Sequence, residues 1–217
     1  MLLPRPRWIH WKVHRPDSGA PEDRTRPGYP NVDAWCGWLA GLALAGGVAS
    51  GVQAALHLPA AQRLQLADGV AGYVRARAAG ELAVFWPAAS GWLRAAAPVW
   101  TAGLWPRAGV LMVALALGLR GFSLGMAFGT VAVLGPAGLA AAMVSTLPGN
   151  VFALPLLCYL GARAATLAVR RTGGGAGVPR GYLWLGAAGL GGVAVSSACE
   201  AALVPLVLRA AGVLPPI

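Results

Sequence analysis

Arg120-Gly121-Phe122-Ser123-Leu124-Gly125-Met126-Ala127-Phe128-Gly129, followed by Leu147-Pro148-Gly149-Asn150 and by Pro155, is the stretch that decides the fold. After Arg120 it is apolar and free of charge, yet glycines recur every four residues at Gly121, Gly125 and Gly129. In water such a surface would aggregate, and a plain lipid anchor would need none of this punctuation. Small residues four apart let helices pack closely in a bilayer, where apolar burial no longer drives association. The Pro148–Asn150 break must sit where protein or water satisfies its backbone, because lipid cannot. The stretch predicts a packed, multi-pass helical domain.

Composition agrees. The chain has 217 residues, 57% hydrophobic and 11% charged, whereas a soluble domain carries about a quarter charged residues. Its 31 glycines and 17 prolines lie largely within apolar runs, and both residues are commoner in transmembrane helices than in soluble ones. The net charge of +10 does not point to nucleic acid, because the basic residues lie mainly between apolar runs and not on one stripe. They read instead as a positive-inside signal. Cys36, Cys158 and Cys199 sit in apolar runs without metal-type spacing, so they read as small buried residues and not as a disulfide framework.

The runs predict an all-α integral membrane protein with about five transmembrane helices. Residues 1–33 form a Pro/Arg/Trp-rich arm on the cytoplasmic side, containing Arg5, Arg7, Lys12, Arg15, Arg24 and Arg26. Spans follow at about 34–56, 98–118, 121–135, 150–169 and 181–207, the first long enough at about 1.5 Å per residue to cross a core of about 30 Å. Segment 136–150 reads as re-entrant or broken. The extracytoplasmic segment 58–97 contains an amphipathic helix with Leu66, Val70, Tyr73 and Val74 on one face. Its Phe85, Trp86 and Trp92, with Trp100 beyond, read as an interfacial aromatic belt. This order puts the N-terminus and Arg120, Arg170, Arg171 and Arg180 in the cytoplasm and the C-terminus outside. Arg107 is placed near the outer interface or in a protein-lined recess.

Glu200 is the last of seven acidic residues and the only one beyond Glu81. A charged residue inside an apolar span costs roughly 2.5–3.5 kcal/mol on insertion scales and marks a functional site by default. Ser196 is one turn before it. Asn150 lies near it in depth, which predicts a Glu200–Asn150 hydrogen bond, while Arg163 snorkels to the cytoplasmic surface. Locking of helix packing and contact with a partner are equally good readings of Glu200. Enzymatic signatures are missing: no phosphate-loop lysine, no Gly-x-Ser-x-Gly elbow, no His-Glu-x-x-His. His10 and His14 have no third ligand beside them. The expectation is no catalytic residue, no metal and no cofactor.

Leu119-Arg120-Gly121 with Gly125 and Gly129, then Ser145-Thr146-Leu147-Pro148-Gly149-Asn150 and Pro155, then Gly161 and Ser196-Ser197-Ala198-Cys199-Glu200-Ala201, occur in this order. In order and register they resemble stage II sporulation protein M of endospore-forming bacteria, over roughly residues 34–210. The long arm and Arg163 depart from that pattern. The resemblance implies a non-enzymatic membrane scaffold at the sporulation septum and engulfing membrane. Its partners would be the extracytoplasmic stage II sporulation proteins D and P, a lytic transglycosylase and an amidase/endopeptidase. On this reading Gly121, Gly125, Gly129, Pro148, Asn150, Pro155, Ser196 and Glu200 serve helix packing or partner contact, with membrane lipid as the other partner and homo-oligomerisation open. The competing class is a transporter or permease-like subunit with a midplane site around Asn150 and Glu200.

Overall fold

The apolar run after Asp33 ends at His57, where Leu58 and Pro59 interrupt the helical ladder and a new helix begins. Proline supplies no amide donor but fits a helix's first turn, and the Arg63 amide bonds the Pro59 carbonyl at 3.0 Å. In the computed structural model, residues 32–78, 85–132, 135–172 and 177–210 are described, all within a single unit, Asn31–Ile217. Residues 1–31 of the expected arm and 173–176 of the glycine-rich linker lie outside the described residues. The described elements are helices: α1 Val32–His57, α2 Ala60–Ala78, α3 Phe85–Ala102, α4 Gly109–Val131, α5 Gly135–Thr172 and α6 Arg180–Ala210. Among the described residues, four stretches are long and apolar enough to cross a membrane: α1, α4, Gly149–Thr172 of α5 and Arg180–Val204 of α6.

The glycine spacing sets the central contact. A Cβ placed on Gly125 would overlap the Val48 carbonyl oxygen and stand 2.9 Å from the Val52 nitrogen. One on Gly121 would overlap the Leu44 carbonyl oxygen, and one on Gly129 would stand 2.7 Å from the Ala55 Cβ. From the other side, Gly47 faces the Gly118 carbonyl and Gly51 the Phe122 carbonyl with no room for a side chain. The two helices therefore meet backbone to backbone, as small residues four apart permit. The register advances together (44 with 121, 48 with 125, 52 with 129), so α1 and α4 run parallel.

A parallel pair needs a return path, and α3 supplies it. Ala88, Ala89, Trp92, Ala96 and Val99 are its buried stripe at helical spacing. At its end, the turn 103–108 leads directly into α4. That turn is fastened to the ends of α5 and α6. Arg171 donates to the Leu104 carbonyl at 2.7 Å and Thr172 to the Pro106 carbonyl at 2.5 Å. The Tyr182 hydroxyl donates to the Trp100 carbonyl. In return the Trp100 indole donates to the Tyr182 carbonyl at 3.3 Å, and the two rings stack 6.1 Å apart. Arg170 meets Asp33 of α1 at 3.4 Å. This arginine end thus gathers the start of α1, the α3–α4 turn, the end of α5 and the start of α6.

Several expectations change. The expected runs 34–56, 150–169 and 181–207 lie inside α1, α5 and α6, but 98–118 and 121–135 are not two spans. α4 passes unbroken through Arg120, and the break lies at 103–108, beside Pro106. A charge does not end a helix when the side chain finds a partner, and the Arg120 guanidinium lies 4.0 Å from the centre of the Trp92 ring. Arg107 consequently sits at the end that also holds Arg170 and Arg171, not at the opposite one. The re-entrant segment is also replaced: α5 runs as one helix from Gly135, whose φ of +80° only glycine adopts readily, to Thr172. Pro148 and Pro155 fall within it. A proline removes one ladder bond and favours a kink, yet a helix packed among others can continue through it. Among the described residues of α2, Ala67 is buried, while Leu66, on the face expected to lie on the membrane surface or against a partner, is 43% exposed. The side chains of Val70, Tyr73 and Val74 lie outside those described.

Replacing Gly125 by valine should abolish the α1–α4 contact. Overpacking typically costs about 1–3 kcal/mol, and here the obstacle is backbone, which cannot rotate away. Gly41→Ala, whose Cβ would meet nothing within 4 Å, should be neutral. Thermal unfolding of the detergent-solubilised variants checks both.

Candidate functional site

Polar atoms inside an apolar bundle must pair with one another, because neither lipid nor hydrocarbon side chains offer a partner. Ser196 and Glu200 stand one turn apart on α6, both buried, with Glu200 4% exposed. The Ser196 hydroxyl donates to the Gly149 carbonyl of α5 at 2.8 Å. The Glu200 carboxylate lies directly against Gly149: a Cβ there would collide with Oε1, Cδ and Cγ. Glycine at 149 is what allows α6 to bring an acid to the α5 backbone. From α3, the Trp92 indole, only 3% exposed, donates to Glu200 Oε1 at 3.3 Å. Arg120 of α4 covers the face of the same indole. Four helices therefore converge on one knot.

The structure gathers five of the eight expected site residues into two groups. Gly121, Gly125 and Gly129 are buried at the α1–α4 crossing. Ser196 and Glu200 belong to the knot, with Gly149 opposite them. Asn150 is beside Gly149 in sequence, but its amide donates to the Thr146 carbonyl at 2.8 Å, one turn back on its own helix. That bond stands in place of the expected Glu200–Asn150 bond. A helical side chain leans toward the preceding turn, so the i−4 carbonyl is within its reach. Asn150 Oδ1 is buried without a hydrogen-bond partner, as is the Ser197 hydroxyl. Pro155 is exposed, and the Pro148 side chain lies outside those described.

Two residues of the knot escape a sequence reading. Trp92 looks like a belt tryptophan because Trp86 and Trp100 flank it, and its bond to Glu200 spans 108 positions of the chain. The usable signal is the Ala88/Ala89/Trp92/Ala96/Val99 stripe, which puts Trp92 on the packed face. Arg120 looks like a helix terminator, on the opposite side of the membrane from Glu200. The structure joins the two through the Trp92 ring. Arg163, by contrast, is exposed and reaches over Tyr159 on its own helix, 5.9 Å from the ring centre.

As chemistry, the knot positions an acid, an indole donor and a cation inside apolar packing. Among the described residues no group of three or more His, Cys, Asp or Glu is placed to hold a metal ion. Comparisons with family models, curated proteins and solved structures find no match for the chain.

Trp92→Phe keeps the ring beneath Arg120 but deletes the donor to Glu200, and it should destabilise the protein by about 1–3 kcal/mol. In a Glu200→Gln background the same change should cost less, with a coupling energy of about 0.5–3 kcal/mol. Equal costs in both backgrounds, measured by unfolding in detergent, would show that the two side chains act independently.

Proposed function

We propose that the chain is a non-enzymatic scaffold of the cell membrane, of the stage II sporulation protein M kind. In this role it holds wall-degrading partners at the sporulation septum during engulfment. The observation that carries the proposal is the meeting of Ser196 and Glu200 with Gly149. Two of the motif pieces that carry the resemblance form one contact in space, although Ser196 and Gly149 are 47 residues apart in the chain. Such a motif describes how a bundle is locked, which is what a scaffold needs. The resemblance supplies the partners, stage II sporulation proteins D and P.

Charge orients the bundle in this proposal. Arg107, Arg170, Arg171 and Arg180 share one end with Asp33. The positive-inside rule assigns that end to the cytoplasm. α1 starts there, and α6 leaves it, so the N-terminus faces in and the C-terminus out. α2 follows the outer end of α1 and stands on the extracytoplasmic side. α3 is then a fifth crossing beside the four longer apolar stretches, because the chain must return between the parallel α1 and α4. Its 18 residues reach about 27 Å, close to the hydrocarbon thickness of about 30 Å.

A transporter is the second reading. Asn150 Oδ1 and the Ser197 hydroxyl, buried without hydrogen-bond partners near Glu200, are what favour it, since a polar solute would find acceptors there. Solute uptake by the purified protein in liposomes would select this reading over the scaffold.

Deleting the gene should leave septal wall unthinned and engulfment blocked in electron micrographs of sporulating cells, and Ser196→Ala with Glu200→Ala should fail to complement. Cell-wall hydrolases should co-purify with the wild-type chain from such cells. Normal engulfment in the deletion strain would sink the proposal.

A further inference from the structure

Between the C-terminal half of α5 and the first turns of α6 lies a groove of about 480 Å³. Arg163, Thr166 and Arg170 line it from α5, and Tyr182, Trp184 and Leu185 from α6. The spacing of 163, 166 and 170 keeps all three on one helical face. Arg163 lies about 10 Å deeper along the axis than Arg170. The Thr166 hydroxyl is the informative atom. Thr166 is 5% exposed, its Oγ1 is buried, and no hydrogen bond reaches it. Threonine in a helix ordinarily bonds a carbonyl of the preceding turn, as Thr130, Thr101 and Thr172 do here. A buried hydroxyl left unpaired in a groove wall that two arginines also line calls for a polar ligand.

We propose that this groove binds a phospholipid with an anionic headgroup. The charge balance fits: Arg163, Arg170 and the nearby Arg180 outweigh Asp33, which stands 3.4 Å from Arg170. Guanidinium matches the oxygens of a phosphate in a planar, bidentate way. Arg171 is already committed to the Leu104 carbonyl and Tyr182 to Trp100, while Arg170 meets Asp33 through one guanidinium nitrogen, so Arg163 and the remaining nitrogens of Arg170 face the phosphate. A turn of the Thr166 side chain to another staggered rotamer brings its hydroxyl to a glycerol hydroxyl or ester of the lipid in the groove it lines. The acyl chains then run along Leu185 and Ala188 past Trp184, which is 76% exposed. A polar anion alone would leave that apolar wall uncovered, and a neutral lipid would leave the arginines unmatched. Basic pockets between transmembrane helices on the cytoplasmic side hold acidic headgroups in this manner. The inference is independent of the partners proposed above and rests on the membrane orientation proposed there.

The purified full-length chain in detergent tests it. Phosphatidylglycerol should raise the thermal unfolding midpoint more than phosphatidylcholine does, and native mass spectrometry should retain one phosphatidylglycerol. Arg163→Gln with Thr166→Val should weaken that retention by about tenfold. Arg163→Gln alone, a change at an exposed position, should weaken it in part, and the midpoint without lipid reports whether either variant folds. Arg94→Gln, in the separate α3–α4 groove, should leave it unchanged. Equal effects of the two lipids, full retention by the folded double variant, or an equal midpoint shift with sodium phosphate alone would overturn the assignment.

Discussion

The parallel crossing of α1 and α4 is the contact on which the rest of the bundle depends. Gly47 and Gly51 of one helix and Gly121, Gly125 and Gly129 of the other leave the two backbones touching, with no side chain between them. Inside a bilayer such closeness replaces the hydrophobic effect, which cannot draw one apolar helix to another through equally apolar lipid. Because the pair is parallel, α3 has to return through the bundle, and its buried stripe must then find partners on α4, α5 and α6. The turn at 103–108 and its bonds to Arg171, Thr172 and Tyr182 follow from that return.

The knot around Glu200 uses what the glycine crossing provides. An acid this deeply buried is tolerated only with a polar partner at hand: the Trp92 indole donates to it from α3, and the missing side chain of Gly149 on α5 leaves room for its carboxylate. The serine one turn earlier ties α6 to α5 at the Gly149 carbonyl. Arg120 then rests on the outer face of the indole. Polar side chains in this bundle define which helix faces which. The glycines define how close they come.

Much of this is legible in the chain. The four-residue glycine rhythm announces a close helix crossing, and the lone acid beyond Glu81 announces a buried polar site. The misreadings share one cause. Arg120 and the Pro148–Asn150 segment look like breaks, because a charge or a proline in isolation ends a transmembrane helix. Within the bundle Arg120 has an aromatic face to rest on, and α5 continues through both prolines. Trp92 misleads for the matching reason: its partner lies 108 residues away, beyond any local pattern.

By itself, then, the sequence determined the helical class, the apolar faces and the small residues that permit contact, since these depend on composition and on periods of three to four residues. Which glycines meet, that α1 and α4 run parallel, and that Glu200 answers to Trp92 and Gly149 and not to Asn150 were decided only by the tertiary structure. Those pairings depend on the relative rotation and direction of whole helices, and no local spacing encodes that.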